Sequence, residues 1–383
     1  MTRPQSLRRN ISSSLKPKPS KQPAIDSDRN WLSEELDRIS RLDRYVKPEK
    51  VNNAIKLDSN ENFVLDKEFI SKVITRAVER IDLREYPLKQ FDDLSAQLAK
   101  YSKVDEKYIA IGNGSDQIIE LILSVIGKER RATVFTPTFS YFLNRCNLHG
   151  IKTEQVPLNM NFTLNKTAFL KSARKSDIIY ICSPNNPTGT QFDKQVVVEI
   201  TESLEDKLIL IDEAYVDFAD YSMADFATKH KRNSIVVLRT MSKAFGLAGA
   251  RVGYAITNEK FASVFRSVIQ SPYPVSSLSL EIATNALMLS EQVMETINQI
   301  RAERQRMIKR LEKIKSVKTF RSDANFLFID TGNRYSQISN ALRKNRIIVK
   351  MLGAVAGYSG CMRVTIGTRE MNEKFLQCIE GAV

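Results

Sequence analysis

Between about residue 66 and residue 275, short apolar runs alternate with longer segments of helical periodicity. The runs are four or five residues long and rich in branched side chains: Tyr108 to Ile111, Ala132 to Phe135, Ile178 to Cys182, Leu208 to Ile211, and Ile235 to Leu238. Parallel strands are covered by helices on both faces, so they are apolar throughout and are separated by helix-length connections. The pattern predicts an α/β domain with buried parallel strands over residues 66–275.

The flanking regions show other patterns. After two prolines, the segment from Leu278 to about Ile314 carries apolar residues at three- and four-residue spacing, including Ile297, Ile300, Met307 and Leu311. This spacing predicts a core-facing helical stripe and the start of a smaller domain over residues 276–383. Upstream, residues 29–65 form a predicted arm in which Trp31 to Leu42 is a short amphipathic helix.

Residues 1–28 have no apolar periodicity and are predicted to be a disordered tail. The first 25 residues contain six basic and no acidic side chains and are rich in Ser and Pro. Organelle transit peptides have a similar composition, so that alternative stays open for this segment.

The chain has 383 residues and a formal net charge of +14, so nucleic-acid binding is the alternative from a different functional class. Residues 301–350 hold fourteen basic and four acidic side chains. We predict that Arg304, Lys313 and Lys315 form a solvated helix face there. No stacking or groove-reading motif accompanies the charge, so we expect no nucleic-acid partner.

Cysteine and histidine spacing indicates neither a metal site nor a disulfide framework. The four cysteines are widely spaced without a CxxC pair, and the two histidines are isolated: Cys146, Cys182, Cys361, Cys378, His149 and His230. We expect the cysteines to be reduced thiols, which are typical of cytoplasmic proteins, so we predict a cytoplasmic location. No apolar run approaches the roughly 20 residues that a bilayer-spanning helix requires, so we expect no membrane partner.

Three of the apolar runs end abruptly in polar, turn-rich sequence. These segments are ICSPNNPTG (181–189), LIDEAY (210–215) and LRTMSKAFGLAGAR (238–251). In an open parallel sheet, ligands bind outside the carboxyl ends of the strands. The three segments are therefore predicted to converge on one site.

A fourth segment, IAIGNGSDQIIELIL (109–123), runs from a strand through a glycine turn into a helix. The start of a helix presents free backbone amides to an anion, so Ser115 and Asp116 are candidates for phosphate binding. Asp116 could equally be an ordinary helix N-cap. Neither a phosphate-loop string nor the GxGxxG dinucleotide pattern is present, so the anion would belong to another ligand.

Three side chains in these segments carry candidate chemistry. Lys243, near the floor of a water-poor pocket, could act as a nucleophilic amine and proton carrier. Asp212 directly follows a buried strand and needs a cationic partner, which a protonated pyridine nitrogen would supply. Asn186 lies in a rigid turn that can aim its carboxamide inward. Taken singly, each also has a plain interpretation, as a loop lysine, a helix-capping aspartate and an ordinary turn.

Together, the order GNGSD, SPNNPTG, DEAY, SKAFGLAGAR resembles the fold-type-I pyridoxal-phosphate aminotransferases and, within them, the histidinol-phosphate aminotransferase family. The resemblance covers roughly residues 45–375. Further matching strings are LDSNEN (57–62), REYP around Tyr86, RTMSKAFGLAGARVGY (239–254), SDANFLF (322–328) and MRVTIGTRE (362–370). It implies a large domain with a mainly parallel seven-stranded sheet, a smaller α/β domain, and a homodimer.

The resemblance also implies roles for individual residues. Lys243 would bind the cofactor aldehyde and move the substrate proton, Asp212 would pair with the pyridine nitrogen, and Asn186 with Tyr215 would bind the phenolic oxygen. The cofactor phosphate would be held by a larger set: Ser115, Asp116, Thr240, Ser242, Arg251, and Tyr86 from the partner subunit. Arg363 would bind the anionic group of the substrate, with Tyr45, Asn60 and Lys350 nearby.

Two departures from the family pattern bear on specificity. Phe139 replaces a frequent tyrosine and keeps only the ring that stacks on the cofactor. Lys350 stands where the family usually has an arginine near the substrate phosphate, and a lysine lacks the bidentate fork. We expect transfer between L-histidinol phosphate and 2-oxoglutarate, with an aromatic or other amino-acid aminotransferase and a phosphothreonine decarboxylase as alternatives on the same fold.

Overall fold

The computed structural model describes residues 30–42, 52–231 and 234–382. The chain divides into two compact units, Met1–Leu42 and Asp43–Val383. The first unit contains one described helix, α1 (Trp31–Ser40), which confirms the helix predicted there, and none of its residues is buried. The predicted tail lies outside the described residues.

The second unit alternates helices and strands along most of its length. Its helices are α2 (Lys67–Val78), α3 (Leu88–Ser102), α4 (Gly114–Ile126), α5 (Ser140–Leu148), α6 (Lys166–Ala173), α7 (Lys194–Glu202), α8 (Ala224–Lys229), α9 (Glu259–Val264), α10 (Ser277–Met288), α11 (Ser290–Leu311), α12 (Tyr335–Lys344) and α13 (Arg369–Gly381). Its strands are β1 (Ile55–Leu57), β2 (Ile109–Gly112), β3 (Arg131–Thr136), β4 (Lys152–Pro157), β5 (Ile178–Cys182), β6 (Leu208–Asp212), β7 (Ser234–Thr240), β8 (Gly253–Ile256), β9 (Lys318–Thr319), β10 (Phe326–Asp330), β11 (Ile347–Val355) and β12 (Tyr358–Thr365). Among the described residues, no helix combines the length and the apolarity needed to cross a bilayer.

The larger sheet has seven strands in the order β2-β8-β7-β6-β5-β3-β4. The pairs β3–β4, β3–β5, β5–β6 and β6–β7 are parallel, and β8 runs antiparallel to both of its neighbours. All five predicted apolar runs are strands of this sheet. The predicted α/β class with a mainly parallel seven-stranded sheet is confirmed.

Alternate residues of the central strands enter two separate hydrophobic cores. Ile209 and Ile211 of β6 join the cluster on one face of the sheet, whereas Leu208 and Leu210 join the cluster on the other. Successive strand residues point to opposite faces, so a strand that is covered on both sides must be apolar at every position. This explains the uninterrupted runs in the sequence.

A second sheet has the order β1-β11-β12-β10-β9. The short strand β1 pairs in parallel with β11, with Leu57 opposite Val349. Strand β1 thereby places the segment that follows it, residues 58–62, beside this sheet. The division into domains at residues 65 and 275 stays a prediction, because the hydrophobic cluster on one face of the large sheet continues into the five-stranded sheet.

The predicted long helical segment is two helices, α10 and α11, separated at Leu289. The apolar stripe of α11 is confirmed, because Ile297, Ile300, Met307 and Leu311 are buried. The prediction of a solvated face was wrong for Arg304, which is 7% exposed and donates a 2.8 Å hydrogen bond to the carbonyl of Ala324. Position 304 lies four residues after Ile300 and three before Met307, on the buried stripe itself.

Candidate active site

Strand register brings the three polar segments together at one edge of the large sheet. Cys182 at the end of β5 lies opposite Asp212 of β6, and Asp212 lies opposite Leu238 of β7. The backbone continues this alignment beyond the strands, because the amide of Ser183 donates to the carbonyl of Asp212 at 2.9 Å. The predicted convergence follows directly from this pairing.

A cavity of about 440 Å³ lies at this edge. Its walls contain thirteen of the predicted site residues: Asn60, Ser115, Asp116, Phe139, Asn186, Asp212, Tyr215, Thr240, Ser242, Lys243, Arg251, Lys350 and Arg363. In the described part of the chain, no group of three or more His, Cys, Asp or Glu side chains has the arrangement of a metal site.

The amine of Lys243 is enclosed within the cavity. Its Nζ donates a 2.9 Å hydrogen bond to the carbonyl of Ser59 and lies 5.8 Å from the centre of the Tyr215 ring. Burial, with a smaller contribution from the guanidinium of Arg363, lowers the pKa of Lys243 to about 8. A lowered pKa makes the neutral amine, which is the nucleophilic form, accessible near neutral pH.

Asp212 is 2% exposed, and its carboxylate accepts hydrogen bonds from the Tyr180 hydroxyl at 2.7 Å and from the amide of Ala214 at 3.1 Å. Burial nevertheless raises the pKa of Asp212 to about 6. Among the described residues, no cationic side chain forms an ion pair with it. A protonated heterocyclic nitrogen in the cavity would supply the missing positive charge, so this residue fits a pyridine cofactor.

Asn186 and Tyr215, which also line the cavity, are oriented by further hydrogen bonds. Nη1 of Arg363 donates to Oδ1 of Asn186 at 2.6 Å, which leaves the Nδ2 group of that amide to donate elsewhere. Nη2 of Arg363 donates to the carbonyl of Asp58, also at 2.6 Å. The hydroxyl of Tyr215 accepts from Nδ2 of Asn60 at 2.9 Å.

The start of α4 lies at one end of the cavity, where Ser115 and Asp116 line its wall. Backbone amides in the first turn of a helix have no partner within the helix and attract an anion. Arg251 completes this end, with Nη2 3.2 Å from Oδ2 of Asp116. Gly114, at φ +77°, makes room for the guanidinium, because a Cβ on that residue would lie 2.6 Å from Nη2 of Arg251.

The interpretation of Asp116 as a plain N-cap is wrong. The N-cap of α4 is Asn113, whose side chain forms no capping bond, and Asp116 lies within the first turn. The hydroxyls of Thr240 and Ser242, 2.9 Å apart, also line this end of the cavity. Hydroxyls, a guanidinium and a helix start form a donor set that suits a phosphate.

Tyr86, one of the predicted residues, does not line the cavity. Tyr86 is 75% exposed and stacks on Tyr273 with 4.8 Å between ring centres. Tyr45 lies outside the described residues. Phe139 does line the cavity, and its ring stacks on Tyr141 at 5.8 Å.

Several residues that contact these side chains were not predicted from the sequence. They include Tyr180, which donates to Asp212; Ser59, whose carbonyl accepts from Lys243; and Thr365, which bonds to Asn60. Tyr180 had a detectable signal, since a tyrosine inside a fully apolar strand needs a hydrogen-bond partner for its hydroxyl. The other two contacts depend on segments that are far apart in the chain.

Residues 52–379 match the family described as aminotransferase class I and II. A histidinol-phosphate aminotransferase from Ruminiclostridium cellulolyticum is 33% identical over 328 residues, which are 84% of this chain and 90% of that protein. Another from Caldanaerobacter subterraneus is 32% identical over 91% of this chain and 98% of that protein. The crystal structure of histidinol-phosphate aminotransferase from Sinorhizobium meliloti in complex with pyridoxal-5'-phosphate shares the fold, with a TM-score of 0.79 at 22% identity over 94% of this chain and 99% of that one.

Proposed function

The chain belongs to the aminotransferase class I and II family, and on that basis we propose that it transfers an amino group from L-histidinol phosphate to 2-oxoglutarate, giving imidazole acetol phosphate and L-glutamate. One observation carries the proposal. An amine of lowered pKa, a buried carboxylate that lacks a cation, and an anion-binding helix start all line one cavity.

Pyridoxal phosphate, the cofactor of this family, supplies an aldehyde that condenses with amines and a protonated ring that takes up the electron pair left at the substrate carbon. Asp212 would hold the ring nitrogen protonated, and Phe139 would stack on the ring. The amides of Ser115 and Asp116, with Arg251, would hold the phosphate. The hydroxyls of Thr240 and Ser242 would complete the phosphate site.

Lys243 would act as the base and acid of the reaction. Its amine would hold the cofactor aldehyde until the substrate amine displaces it, and the freed amine would then remove the proton from the substrate Cα and return it to the cofactor carbon. Asn186 and Tyr215 would donate hydrogen bonds to the phenolic oxygen. Arg363 donates to Oδ1 of Asn186, which leaves the Nδ2 group of that amide as the donor for this bond.

Two cations would bind the anionic groups of the substrates. Lys350 of β11 lies opposite Arg363 of β12 in the strand register, and both line the cavity. A guanidinium suits a carboxylate or phosphate in a bidentate arrangement, and a lysine contributes a point charge beside it. Asn60 and Tyr45 complete the predicted substrate set.

We also propose that the enzyme is a homodimer in which Tyr86 reaches the cofactor phosphate of the partner subunit. Tyr86 lies outside its own cavity and beside other exposed apolar residues, since Leu83 is 77% and Leu88 63% exposed. A groove of about 470 Å³ next to them is lined by Leu88 and Tyr273, among others. Exposed apolar residues around a groove are typical of an interface.

We also propose that the protein is located in the cytoplasm. The four cysteines are unpaired, and three of them are buried. Free thiols persist in a reducing compartment.

The test is a half-reaction in which purified protein loaded with pyridoxal phosphate is mixed with L-histidinol phosphate. We expect the bound aldehyde to convert to the amine form, which absorption spectroscopy follows, and we expect Lys243→Ala to abolish the conversion. A wild-type protein that takes up no pyridoxal phosphate would refute the proposal. Much faster conversion with phenylalanine than with histidinol phosphate would instead favour an aromatic aminotransferase, and release of carbon dioxide from phosphothreonine would favour the decarboxylase.

A further inference from the structure

The hydroxyl of Tyr215 is the end of a hydrogen-bond chain that begins at Thr365 and passes through Asn60. Oγ1 of Thr365 lies 3.2 Å from Oδ1 of Asn60, and Nδ2 of Asn60 lies 2.9 Å from the Tyr215 hydroxyl. All three residues are buried, with exposures of 1%, 1% and 4%. The bonds between these groups are therefore shielded from bulk water.

The protons in this chain have a defined direction. The hydroxyl of Thr365 accepts the backbone N–H of Asn60 at 2.9 Å and has a single proton to donate, which goes to Oδ1 of the same residue. That contact fixes the amide so that Nδ2 faces Tyr215 and donates to it. Because the Tyr215 hydroxyl accepts this bond, its own proton is left to point elsewhere, and the residue lines the cavity.

The backbone of Asn60 is held as firmly as its side chain. Its φ is +56°, a left-handed conformation that Asn tolerates better than most residues. Its amide is bound by Thr365, and its carbonyl accepts from Nδ2 of Asn325 at 3.0 Å. An unusual conformation persists where the surrounding contacts determine it this fully.

We propose that Asn60 and Thr365 are positioning residues that fix the direction in which Tyr215 donates its proton, toward the phenolic oxygen of the bound cofactor. The inference rests on the proposed cofactor site. It gives Asn60 a role that is separate from contact with the substrate. Both atoms of the Asn60 amide are already engaged within the protein.

The proposed direction has a measurable consequence at Lys243. A hydrogen bond donated to the phenolic oxygen withdraws electron density from that oxygen, which then holds a proton on the neighbouring Lys243 nitrogen less strongly. Loss of the directed bond would raise the pKa of this nitrogen in the loaded enzyme. A pH titration of the visible absorption of the bound cofactor reports that pKa without any turnover.

Four variants test the chain. Asn60→Gly keeps the left-handed backbone and removes the amide, and Asn60→Asp replaces the donor by an acceptor that draws the Tyr215 proton away from the cavity. Thr365→Val removes the hydroxyl at nearly constant size, and Thr365→Ser retains it. We expect Asn60→Gly, Asn60→Asp and Thr365→Val to raise the titration midpoint by about one pH unit, and Thr365→Ser to titrate as the wild type does.

Repeating the Asn60→Gly change in a Tyr215→Phe background provides the decisive comparison. If Asn60 acts through the Tyr215 hydroxyl, the double variant has the same midpoint as Tyr215→Phe alone. Asn285→Asp is the matched control, because Asn285 is a buried asparagine outside the cavity that bonds to the carbonyl of Val73, and we expect its midpoint to be unchanged.

The inference is overturned if the midpoint shifts of Asn60→Gly and Tyr215→Phe add in the double variant. It is also overturned if Asn60→Gly has a normal midpoint and only a raised KM. If Asn60→Gly does not fold, the titration midpoints of Thr365→Val and Thr365→Ser test the inference in its place. Failure of the wild type to take up the cofactor would refute the proposed function. Normal uptake with unshifted variants would refute only the inference.

Discussion

The hydroxyl of Tyr180 donates a 2.7 Å hydrogen bond to Oδ2 of Asp212, and both side chains are closed off from solvent. This bond lowers the pKa of the carboxyl group, whereas burial, the larger effect, raises it. The fraction of Asp212 that is ionised near neutral pH therefore depends on one tyrosine on the adjacent strand. Only the ionised form can pair with a protonated pyridine nitrogen.

Replacing Tyr180 by Phe should weaken cofactor binding in a pH-dependent way. The change keeps the ring, which stacks on Phe142 at 4.0 Å, and removes the hydroxyl. The pKa of Asp212 then rises further above about 6, so the pH below which cofactor affinity falls moves upward. We expect about tenfold weaker binding at neutral pH, measured by titrating the apoprotein with pyridoxal phosphate over a pH series.

Tyr221→Phe is the control for this change, because the Tyr221 hydroxyl donates to the carbonyl of Phe192 and lies outside the cavity. Its pH profile should match the wild type. An unshifted profile in Tyr180→Phe would contradict the assigned effect on Asp212.

Asp212→Asn should stabilise the apoprotein at neutral pH while it abolishes activity. Burial raises the folded-state pKa of Asp212 from 3.8 to about 6, so the unfolded chain releases this proton first as the pH rises. The folded protein therefore loses stability between these two values and remains destabilised above them. A shift of this size corresponds to at most about 3 kcal/mol, and we expect about 1–2 kcal/mol because Asn also needs hydrogen-bond partners.

Denaturant unfolding of both apoproteins at acidic and neutral pH measures this difference. The two should be closest below about pH 4 and should diverge up to about pH 6. An Asp212→Asn apoprotein that is less stable than the wild type at neutral pH would show that the buried charge has a partner we have not identified.

Lys350→Met should reduce activity selectively toward phosphorylated donors. Lys350 faces the cavity beside Arg363, and a hydrogen bond to a charged group contributes about 1.5–3 kcal/mol. We expect kcat/KM for histidinol phosphate to fall about tenfold or more, with phenylalanine changed by less than about twofold. Lys344→Met, at an exposed position on α12 outside the cavity, should leave both rates unchanged. Equal losses for both substrates would argue against a phosphate contact.

Leu83→Asp should dissociate the proposed dimer and weaken cofactor binding in the same preparation. A charge at an apolar interface is costly to bury, and the partner's tyrosine would leave the phosphate site when the subunits separate. Tyr86→Phe should retain the dimer and weaken cofactor binding by less than about tenfold, because only one hydrogen bond is lost. Sedimentation velocity and cofactor titration measure the two effects.

Val125→Asp is the control for Leu83→Asp, since Val125 is also an exposed apolar residue, on α4. It should change neither the sedimentation coefficient nor the affinity. A Leu83→Asp protein that stays dimeric would place the interface elsewhere.

The sequence predicted the central strands because burial on both faces leaves a continuous apolar signature. Strand β4 was not predicted because it is an edge strand with the sequence KTEQVP, in which only Val156 is fully buried. Arg304 was wrongly predicted to be solvated, because the sequence alone does not distinguish an exposed arginine from a buried one that donates to carbonyls. The local sequence shows the periodicity of apolar positions, but it does not show the hydrogen-bond partner of each polar group.

The part of the site that lies at strand ends or within motifs resembling the family could be predicted from the sequence. Most of the thirteen predicted residues that line the cavity follow strands of the large sheet that finish at a common edge, whereas Asn60, Lys350 and Arg363 lie in or follow strands of the second sheet. The contacts that orient them were not predictable, since Asn60 and Thr365 are 305 positions apart and meet only through the pairing of β1, β11 and β12. Such contacts depend on tertiary geometry, which no local pattern encodes.

The bond from Lys243 to the carbonyl of Ser59 joins a residue that follows β7 of one sheet to a residue that follows β1 of the other. An ammonium has three protons to donate, but after condensation with an aldehyde the nitrogen keeps at most one. Condensation at this nitrogen would therefore reduce its capacity to donate hydrogen bonds that link the two sheets.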